Sequence, residues 1–216
     1  MRYDYIFFDL DGTLSDPAQG ICGSIQYALE KGGYPVGPME KYHAWIGPPL
    51  LRSFEVYLNA TPEEAQRLLA LYRERFSVTG LFENVIYPGI PELLRELKAA
   101  GATLMVATGK PTVYARQILE HFGILDCFAS VSGISLDNEP LDKCGVIAEA
   151  MRQVGVSDKR RCVMVGDRDH DVQGARMSHM DCISVLYGYG SREELEVASP
   201  TYLVESVEEL RSLLLA

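Results

Sequence analysis

The sequence is poor in the residues that build zinc sites and disulfide frameworks. Its 216 residues include only five cysteines and four histidines, and the cysteines are widely spaced and form no C-x-x-C pair. This pattern predicts reduced core cysteines and argues against structural zinc or a disulfide scaffold. No apolar run reaches the length that a bilayer-spanning helix needs, so we expect no membrane partner.

Positive charge is also scarce. The chain has 20 lysines and arginines against 30 aspartates and glutamates, which gives a formal net charge of -10. Such a chain is a poor match for the polyanionic backbone of a nucleic acid. Its N-terminus enters a strand almost at once and does not resemble a signal peptide. We therefore expect a cytoplasmic monomer or homodimer that binds a small metabolite.

Short apolar strands alternate with helices over most of the chain. Strands are predicted over residues 4–8, 102–107, 128–132, 162–166, 182–186 and 201–204. The strands are nearly continuous in apolar residues, which is typical of a parallel sheet buried on both faces. Alternation of this kind predicts an α/β fold.

One helical stretch interrupts the alternation directly after the first strand. Residues 15–83 carry helical spacing throughout, with a capping box at Thr61-Pro62-Glu63-Glu64. We interpret this stretch as an inserted helical cap domain. The core domain is then formed by residues 1–14 and 84–216.

Polar residues follow several of the predicted strands. Asp9 and Asp11 come after the first, Thr108-Gly109-Lys110 after the second and Asp167 after a later one, while Lys143 begins a helix. Ligands of open parallel sheets bind beyond the carboxyl ends of the strands. The sequence therefore predicts that these groups converge on one edge of the sheet.

Simpler explanations apply to each group taken alone. Asp11-Gly12 suits a turn, and Thr108-Gly109 suits a strand-to-helix connection. Asp169 and Asp171 fall in the first turn of a helix, where negative charge is favourable, and we prefer that explanation for Asp169. Lys110 and Lys143 are predicted to lie near helix N-termini, where a positive charge is unfavourable because it opposes the helix dipole. An anion bound between the helix N-termini would make both positive charges favourable.

The predicted cluster requires a counter-charge. Asp9, Asp11 and Asp167 would repel one another strongly at low dielectric unless a cation lies among them. A ligand set made only of oxygen, without histidine or cysteine, favours Mg²⁺ over zinc. With Lys143 and Thr108, such a site describes a cradle for phosphate.

The two carboxylates of the first strand can divide a phosphoryl-transfer reaction between them. Asp9 can attack phosphorus and form an aspartyl-phosphate. Asp11, two residues on along extended chain, projects to the same side. It can protonate the leaving oxygen and later activate water, which makes Asp9 the predicted nucleophile and Asp11 the predicted acid/base.

These residues resemble the motifs of the haloacid dehalogenase superfamily of phosphatases over nearly the whole chain. Residues 9–14, DLDGTL, are similar to its first motif, Thr108 to the second, Lys143 to the third, and Gly166-Asp167 with Asp171 to the acidic fourth. The resemblance implies a Rossmann-like core with a helical cap inserted after the first strand.

The resemblance also implies the ligands of the metal. Mg²⁺ would be held by Asp9, Asp167 and the backbone carbonyl of Asp11, and Asp171 would support the metal or its waters. One departure is visible, because family members often have asparagine or serine where this chain has Gly109. The backbone N–H of Gly109 can still donate to phosphate.

The overall pattern is similar to two branches of the superfamily, phosphoglycolate phosphatases and 5′-nucleotidases. The stretches at residues 46–50 (IGPPL) and 187–191 (YGYGS) resemble sequences of these two branches. The first stretch suits a closing loop of the cap, followed by Arg52, which is either a contact for a substrate anion or a solvated helix residue.

Three functions remain open at this point. The first is a magnesium-dependent phosphatase that acts on small phosphate monoesters. The second is a phosphotransferase, such as a sugar phosphomutase, which passes the phosphoryl group to a hydroxyl. The third, a non-catalytic binding module, is disfavoured because every proposed catalytic position is filled.

Overall fold

A computed structural model describes residues 2–136, 142–156 and 158–216. The chain divides into two compact units. The first, which we call the sheet unit, comprises Met1–Asp16 and Ile86–Ala216; the second, the helical unit, comprises Pro17–Val85. The function of the helical unit as a cap stays a prediction.

The strands and helices, numbered along the chain, have the following bounds. The strands are β1 (Tyr5–Phe8), β2 (Ser15–Asp16), β3 (Val85–Ile86), β4 (Thr103–Pro111), β5 (Phe128–Ile134), β6 (Cys162–Gly166), β7 (Asp181–Val185) and β8 (Tyr202–Val204). The helices are α1 (Ala18–Gly32), α2 (Leu50–Leu58), α3 (Pro62–Arg75), α4 (Ile90–Ala99), α5 (Thr112–His121), α6 (Lys143–Val154), α7 (Asp169–Met177), α8 (Arg192–Ala198) and α9 (Val207–Leu215).

The sheet unit is built on six parallel strands in the order β5-β4-β1-β6-β7-β8. The predicted α/β class with a parallel sheet is confirmed. Strand β1 lies between β4 and β6, and Phe8 is in register with Val106 on one side and Val165 on the other. The carboxyl ends of these three strands therefore reach the same edge, directly below Asp9.

Helices cover this sheet and complete its core. Phe7, Met105 and Met164 from the central strands pack in one buried cluster with Ile147 of α6 and Val172 of α7. Each of the five side chains is at most 2% exposed. Because α6 and α7 are fixed by this packing, their N-terminal residues are held at the edge of the sheet.

In the helical unit, α1 ends and α3 begins at residues that favour helix termini. Helix α1 ends at Gly33, whose φ of 80° is in the left-handed region where glycine is favoured. Helix α3 begins with the predicted capping box, in which the Thr61 side chain accepts from the Glu64 N–H and the Glu64 carboxylate accepts from the Thr61 N–H. Short 3₁₀ and π turns occupy Met39–Trp45 and Phe76–Gly80.

Several elements differ from the sequence prediction. The short strands β2 and β3 were not predicted. Strand β4 continues to Pro111, which pairs with Ile134 of β5, so Thr108, Gly109 and Lys110 belong to a strand and not to a turn or a helix start. Helix α8 was not predicted; its sequence signal is Ser191, whose hydroxyl caps the N–H of Glu194. Within the described residues, every helix is too short or too polar to span a bilayer.

Candidate active site

Asp9 is the buried carboxylate at the end of the central strand. Its backbone N–H donates to the Val165 carbonyl at 2.9 Å, and only 4% of the residue is exposed. Burial alone would raise the pKa of Asp9, but the Lys143 ammonium, His170 and a hydrogen bond from Thr108 together hold it below its ordinary value. Asp9 therefore remains a charged carboxylate inside the protein.

Lys143 is the cation that keeps Asp9 ionised. It is the first residue of α6, whose N-cap Asp142 accepts a hydrogen bond from the Gly145 N–H. Its Nζ lies 3.1 Å from Asp9 Oδ1 and 2.7 Å from Asp171 Oδ1, and it donates to the Ala107 carbonyl at 3.0 Å. Burial opposes the charge, but Asp171 and Asp9 raise the pKa of Lys143 above its ordinary value.

Asp171 connects the fourth motif to this lysine. It lies in the first turn of α7 and is fully buried; Oδ1 contacts Lys143, and Oδ2 accepts from the Arg168 N–H at 3.1 Å. A Cβ added to Gly166 would lie 2.2 Å from the Asp171 carboxyl carbon, so glycine is required at that position. Both oxygens of Asp171 are thus engaged by this chain.

Asp11 forms a second buried ion pair. Lys110 Nζ lies 2.8 Å from Asp11 Oδ2, and the two side chains are 5% and 11% exposed. Burial raises the pKa of Asp11 even though Lys110 opposes the shift. A raised pKa lets a carboxyl group keep its proton to a higher pH than an ordinary aspartate, which favours a role as general acid.

Asp167 follows β6 and is enclosed by two loops. Its Oδ2 accepts from the Tyr189 N–H at 2.7 Å, and its Oδ1 accepts from the Thr13 hydroxyl at 3.3 Å. A Cβ added at Gly188 would lie 2.4 Å from the Asp167 Cβ, and one at Gly12 would lie 2.1 Å from Oδ2. Burial, followed by the negative charges of Asp171 and Asp9, raises the pKa of Asp167 well above its ordinary value.

The second motif lies along β4. Thr108 and Lys110 are buried, whereas Gly109 between them is exposed, and residues two apart along a strand project to the same face. The Thr108 Oγ1 accepts from the Lys110 N–H at 3.2 Å. Thr108 and Lys110 therefore reach the carboxylates from the same side of the strand.

The sequence analysis missed two contributors to the site. His170 was not among the predicted site residues, yet one ligand atom from each of Asp9, His170 and Asp171 lies within 4.8 Å of the others. The loop at residues 187–191 was noted only for its resemblance to related phosphatases, whereas its Tyr189 N–H donates to Asp167 directly. Only its glycines hinted at this role, because close backbone approach favours glycine.

The arrangement has a formal excess of negative charge. Four carboxylates, those of Asp9, Asp11, Asp167 and Asp171, face two ammonium groups, so the fully ionised cluster carries a net charge of two negative units. Burial is the largest cause of the raised pKa of Asp167, and the neighbouring charges of Asp171 and Asp9 add to it. A divalent cation bound by oxygen ligands would balance the excess negative charge, and the donor set therefore fits Mg²⁺.

Comparison with known proteins gives results that agree with this geometry. A family model described as haloacid dehalogenase-like hydrolase matches residues 6–185. A protein of Pseudomonas aeruginosa named 5′-nucleotidase is 42% identical over 214 residues, which are 99% of this chain and 96% of that protein.

Two further relatives cover nearly the whole chain. The tyrosine-protein kinase PtkA of Mycobacterium tuberculosis is 37% identical over 97% of this chain and 72% of its own length. The crystal structure of a predicted phosphatase from Clostridium acetobutylicum superposes with a TM-score of 0.94 at 43% identity, covering 99% of this chain and 98% of that one.

Proposed function

The chain belongs to the haloacid dehalogenase-like hydrolase family and is a phosphatase, and from that premise we propose that it hydrolyses small phosphate monoesters with Mg²⁺ through an aspartyl-phosphate on Asp9. One observation carries the proposal. Asp9 is 4% exposed, yet Lys143 and its other partners keep its pKa below the ordinary value. A buried carboxylate that stays charged is suited to attack phosphorus.

The proposed metal ligands are the Asp9 and Asp167 carboxylates and the backbone carbonyl of Asp11. When bound, Mg²⁺ would neutralise phosphoryl oxygens and the clustered acids. Asp171, whose oxygens are taken by Lys143 and the Arg168 N–H, is proposed to act on the site through Lys143 and through metal-bound water. The excess negative charge of the cluster supports this ligand set.

The first chemical step belongs to Asp9 and Asp11. An Asp9 oxygen forms a bond to phosphorus while the bond from phosphorus to the ester oxygen breaks. Asp11 donates its proton to that oxygen, so that the product leaves as an alcohol. The raised pKa of Asp11 supports this role, because its carboxyl can be protonated before the step.

The second step reverses the role of Asp11. Its carboxylate takes a proton from the water that attacks the aspartyl-phosphate, which releases inorganic phosphate and regenerates Asp9. Lys143, Thr108 and the Gly109 N–H are proposed to hold the phosphoryl oxygens during both steps. Lys143 is already placed 3.1 Å from the proposed nucleophile, and Gly109 is exposed on β4.

The proposed substrates are small phosphorylated metabolites of the phosphoglycolate or nucleoside 5′-monophosphate type. The relative that is 42% identical and named 5′-nucleotidase supports the second type. The groups of the sheet unit that are described above are assigned to the phosphoryl centre. We therefore assign substrate choice to the helical unit, in agreement with its predicted cap function.

The test is a phosphate-release screen of the purified protein in Mg²⁺ and in EDTA. The panel contains phosphoglycolate, nucleoside monophosphates, sugar phosphates and p-nitrophenyl phosphate. We expect release that depends on Mg²⁺ and is lost in Asp9→Asn, whereas Asp126→Asn, at an exposed position, behaves as wild type. Equal release from wild type and Asp9→Asn, or turnover unaffected by EDTA, would contradict the proposal.

One observation favours a second candidate function. The relative named tyrosine-protein kinase PtkA transfers phosphate by name, and it is 37% identical over 97% of this chain. An aspartyl-phosphate that is attacked by an alcohol instead of water gives a phosphotransferase. Adding an acceptor alcohol to the screen and searching for its phosphorylated product by mass spectrometry separates the two functions.

A further inference from the structure

We propose that Lys110 is a positioning residue for the acid/base: it binds one oxygen of Asp11 and thereby directs the other toward the leaving group. This inference rests on the proposed function, because it presupposes that Asp11 transfers a proton. It adds a second lysine to the site, with a task that differs from that of Lys143.

The short contact between Lys110 and Asp11 is made to one oxygen of the carboxyl group. Lys110 Nζ lies 2.8 Å from Asp11 Oδ2. Asp11 Oδ1 is buried and has no hydrogen-bond partner among the residues that the structure describes. An unsatisfied buried oxygen is costly unless a ligand completes it. The two oxygens of one carboxyl therefore have different environments, with Oδ1 left for substrate.

The position of Lys110 is fixed by its strand. The pairing of β4 with β5 changes register between Ala107 and Pro111, the kind of irregularity that re-aims side chains near active sites. The Lys110 N–H donates to Thr108 Oγ1 at 3.2 Å. On the neighbouring strand a Cβ at Gly133 would lie 2.2 Å from the Lys110 carbonyl, so the two backbones approach closely there.

Burial of the pair makes the orientation stable. The Lys110 side chain is 5% exposed and that of Asp11 11% exposed, so water competes little for either group. Without Lys110, the Asp11 carboxyl could rotate about its Cβ–Cγ bond, and its acidic oxygen would no longer be held toward one direction. Misplacement of a catalytic group by as little as 1 Å can cost about 10²-fold in rate.

The same contact serves the proton transfer itself. Before the step, Oδ1 carries the proton and Oδ2 accepts from the Lys110 ammonium. As Asp9 bonds to phosphorus and the ester bond breaks, the proton passes from Oδ1 to the ester oxygen. Asp11 then carries a full negative charge next to Lys110, which favours the product side of the transfer.

The two buried lysines can be told apart by their partners. Lys143 contacts Asp9 and Asp171, whereas Lys110 contacts Asp11. A lysine that binds the phosphoryl group affects all substrates alike. A lysine that aligns the general acid affects substrates in proportion to the basicity of their leaving oxygen, because only a basic leaving group needs the proton.

The experiment compares kcat/KM for phenyl phosphate and p-nitrophenyl phosphate in wild type, Lys110→Met and Lys110→Arg. The value of kcat/KM covers the steps up to departure of the leaving group. Phenoxide, the leaving group of phenyl phosphate, is much more basic than p-nitrophenoxide. We expect the ratio of p-nitrophenyl to phenyl phosphate to rise about tenfold or more in Lys110→Met, within the range that general acid catalysis contributes. Lys110→Arg keeps the charge and partly restores the wild-type ratio.

Two controls make the result decisive. Lys159→Met, at an exposed position, leaves the ratio unchanged. In an Asp11→Asn background the acid is absent, and Lys110→Met then produces no further change in the ratio; a further change there would overturn the positioning role.

The outcomes separate this inference from the proposed function. An equal fall for both substrates, or an unchanged ratio, in an active Lys110→Met protein would overturn the positioning role and leave the phosphatase mechanism standing. A wild type without magnesium-dependent turnover of either substrate would overturn the proposed function instead.

Discussion

The two units of this chain differ in what they bury. Among the described residues, the sheet unit buries charged side chains, namely Asp9, Lys110, Lys143, Asp167 and Asp171. The buried polar side chains of the helical unit are the two hydroxyls of Ser24 and Ser53. Burying charge is costly unless it is paired, so the sheet unit gives up stability for a reactive site, whereas the helical unit is held by packing.

The helical unit relies on aromatic and aliphatic contacts. Trp45 meets Tyr42 and Phe54 edge to face, with ring centroids at 5.3 and 5.8 Å, and stacks on Tyr57 at 5.2 Å. Its best-connected ion pair, Arg75 with Glu83, keeps about a quarter of each side chain exposed. This difference predicts that substitutions in the sheet unit mainly change phosphatase turnover, whereas substitutions in the helical unit mainly change the free energy of unfolding.

The largest effect is expected for Lys143→Met, because it leaves Asp9 and Asp171 buried without their cation. Removing one partner of a buried pair costs about 3–5 kcal/mol of unfolding free energy. We also expect phosphatase turnover to fall at least about 10²-fold, as for loss of a group that stabilises transition-state charge. Urea unfolding and phosphate release measure the two effects, with the exposed Lys159→Met as the control.

An unfolding midpoint for Lys143→Met equal to that of Lys159→Met would contradict the difference drawn between the two units. It would mean that the buried charges of the sheet unit are not interdependent. Unfolding is measured in EDTA, so that a bound cation does not mask the missing ammonium group.

The next effect is expected in the helical unit for Leu68→Ala. Leu68 is fully buried, and its Cδ2 lies 2.5 Å from the position of a Cβ at Gly32. Loss of such a side chain costs about 2–5 kcal/mol. Turnover of p-nitrophenyl phosphate by the folded protein should fall far less than in Lys143→Met. The control, Val56→Ala, removes a side chain that is 58% exposed and should leave the unfolding midpoint near that of wild type.

A smaller effect is expected for Gly188→Ala, which tests the loop around Asp167. Its Cβ would lie 2.4 Å from the Asp167 Cβ and 2.5 Å from Oδ2, so the carboxylate must shift. Changes to groups that orient a metal ligand weaken metal binding about 10–100-fold. Isothermal titration with Mg²⁺ measures this directly. Gly155→Ala is the matched control: it strains a backbone with φ of 72° but adds its Cβ to open space.

The smallest effect is expected for Arg75→Lys. Arg75 donates to both Glu83 oxygens, at 2.8 and 3.0 Å, and to Ser24 Oγ at 3.1 Å. Lysine cannot reproduce this fork, and we expect a loss of about 1 kcal/mol in urea unfolding without a change in kcat. Arg160→Lys, at a pair on the surface, should show no measurable change. A fall in kcat for Arg75→Lys would show that this pair serves the chemistry after all.

Local sequence signals predicted much of the fold. The apolar strands and the capping box at Thr61 are set by nearest neighbours, and each begins within one residue of where its pattern indicates, although β4 runs beyond its predicted end. Helix α8 was missed because it is only seven residues long and its cap at Ser191 follows a glycine-rich stretch that suggests a turn.

Other features have no local signal. The residues TGKP suit a turn, and they become part of β4 only because β5 lies beside them and pairs with Pro111. His170 shows no ligand spacing along the chain, and it nears Asp9 only because β1 and α7 meet at the edge of the sheet. Contacts of this kind join residues far apart in sequence, and the residues around each do not encode the partner.

By itself, the sequence determined that Asp9 and Asp167 follow strands and that Lys143 begins a helix, because strands and caps depend on neighbouring residues. The tertiary structure alone decided how they pair: Lys143 with Asp9 and Asp171, and Lys110 with a single oxygen of Asp11. The physical reason is that charge pairing depends on distances across the sheet edge, which strand order and register set.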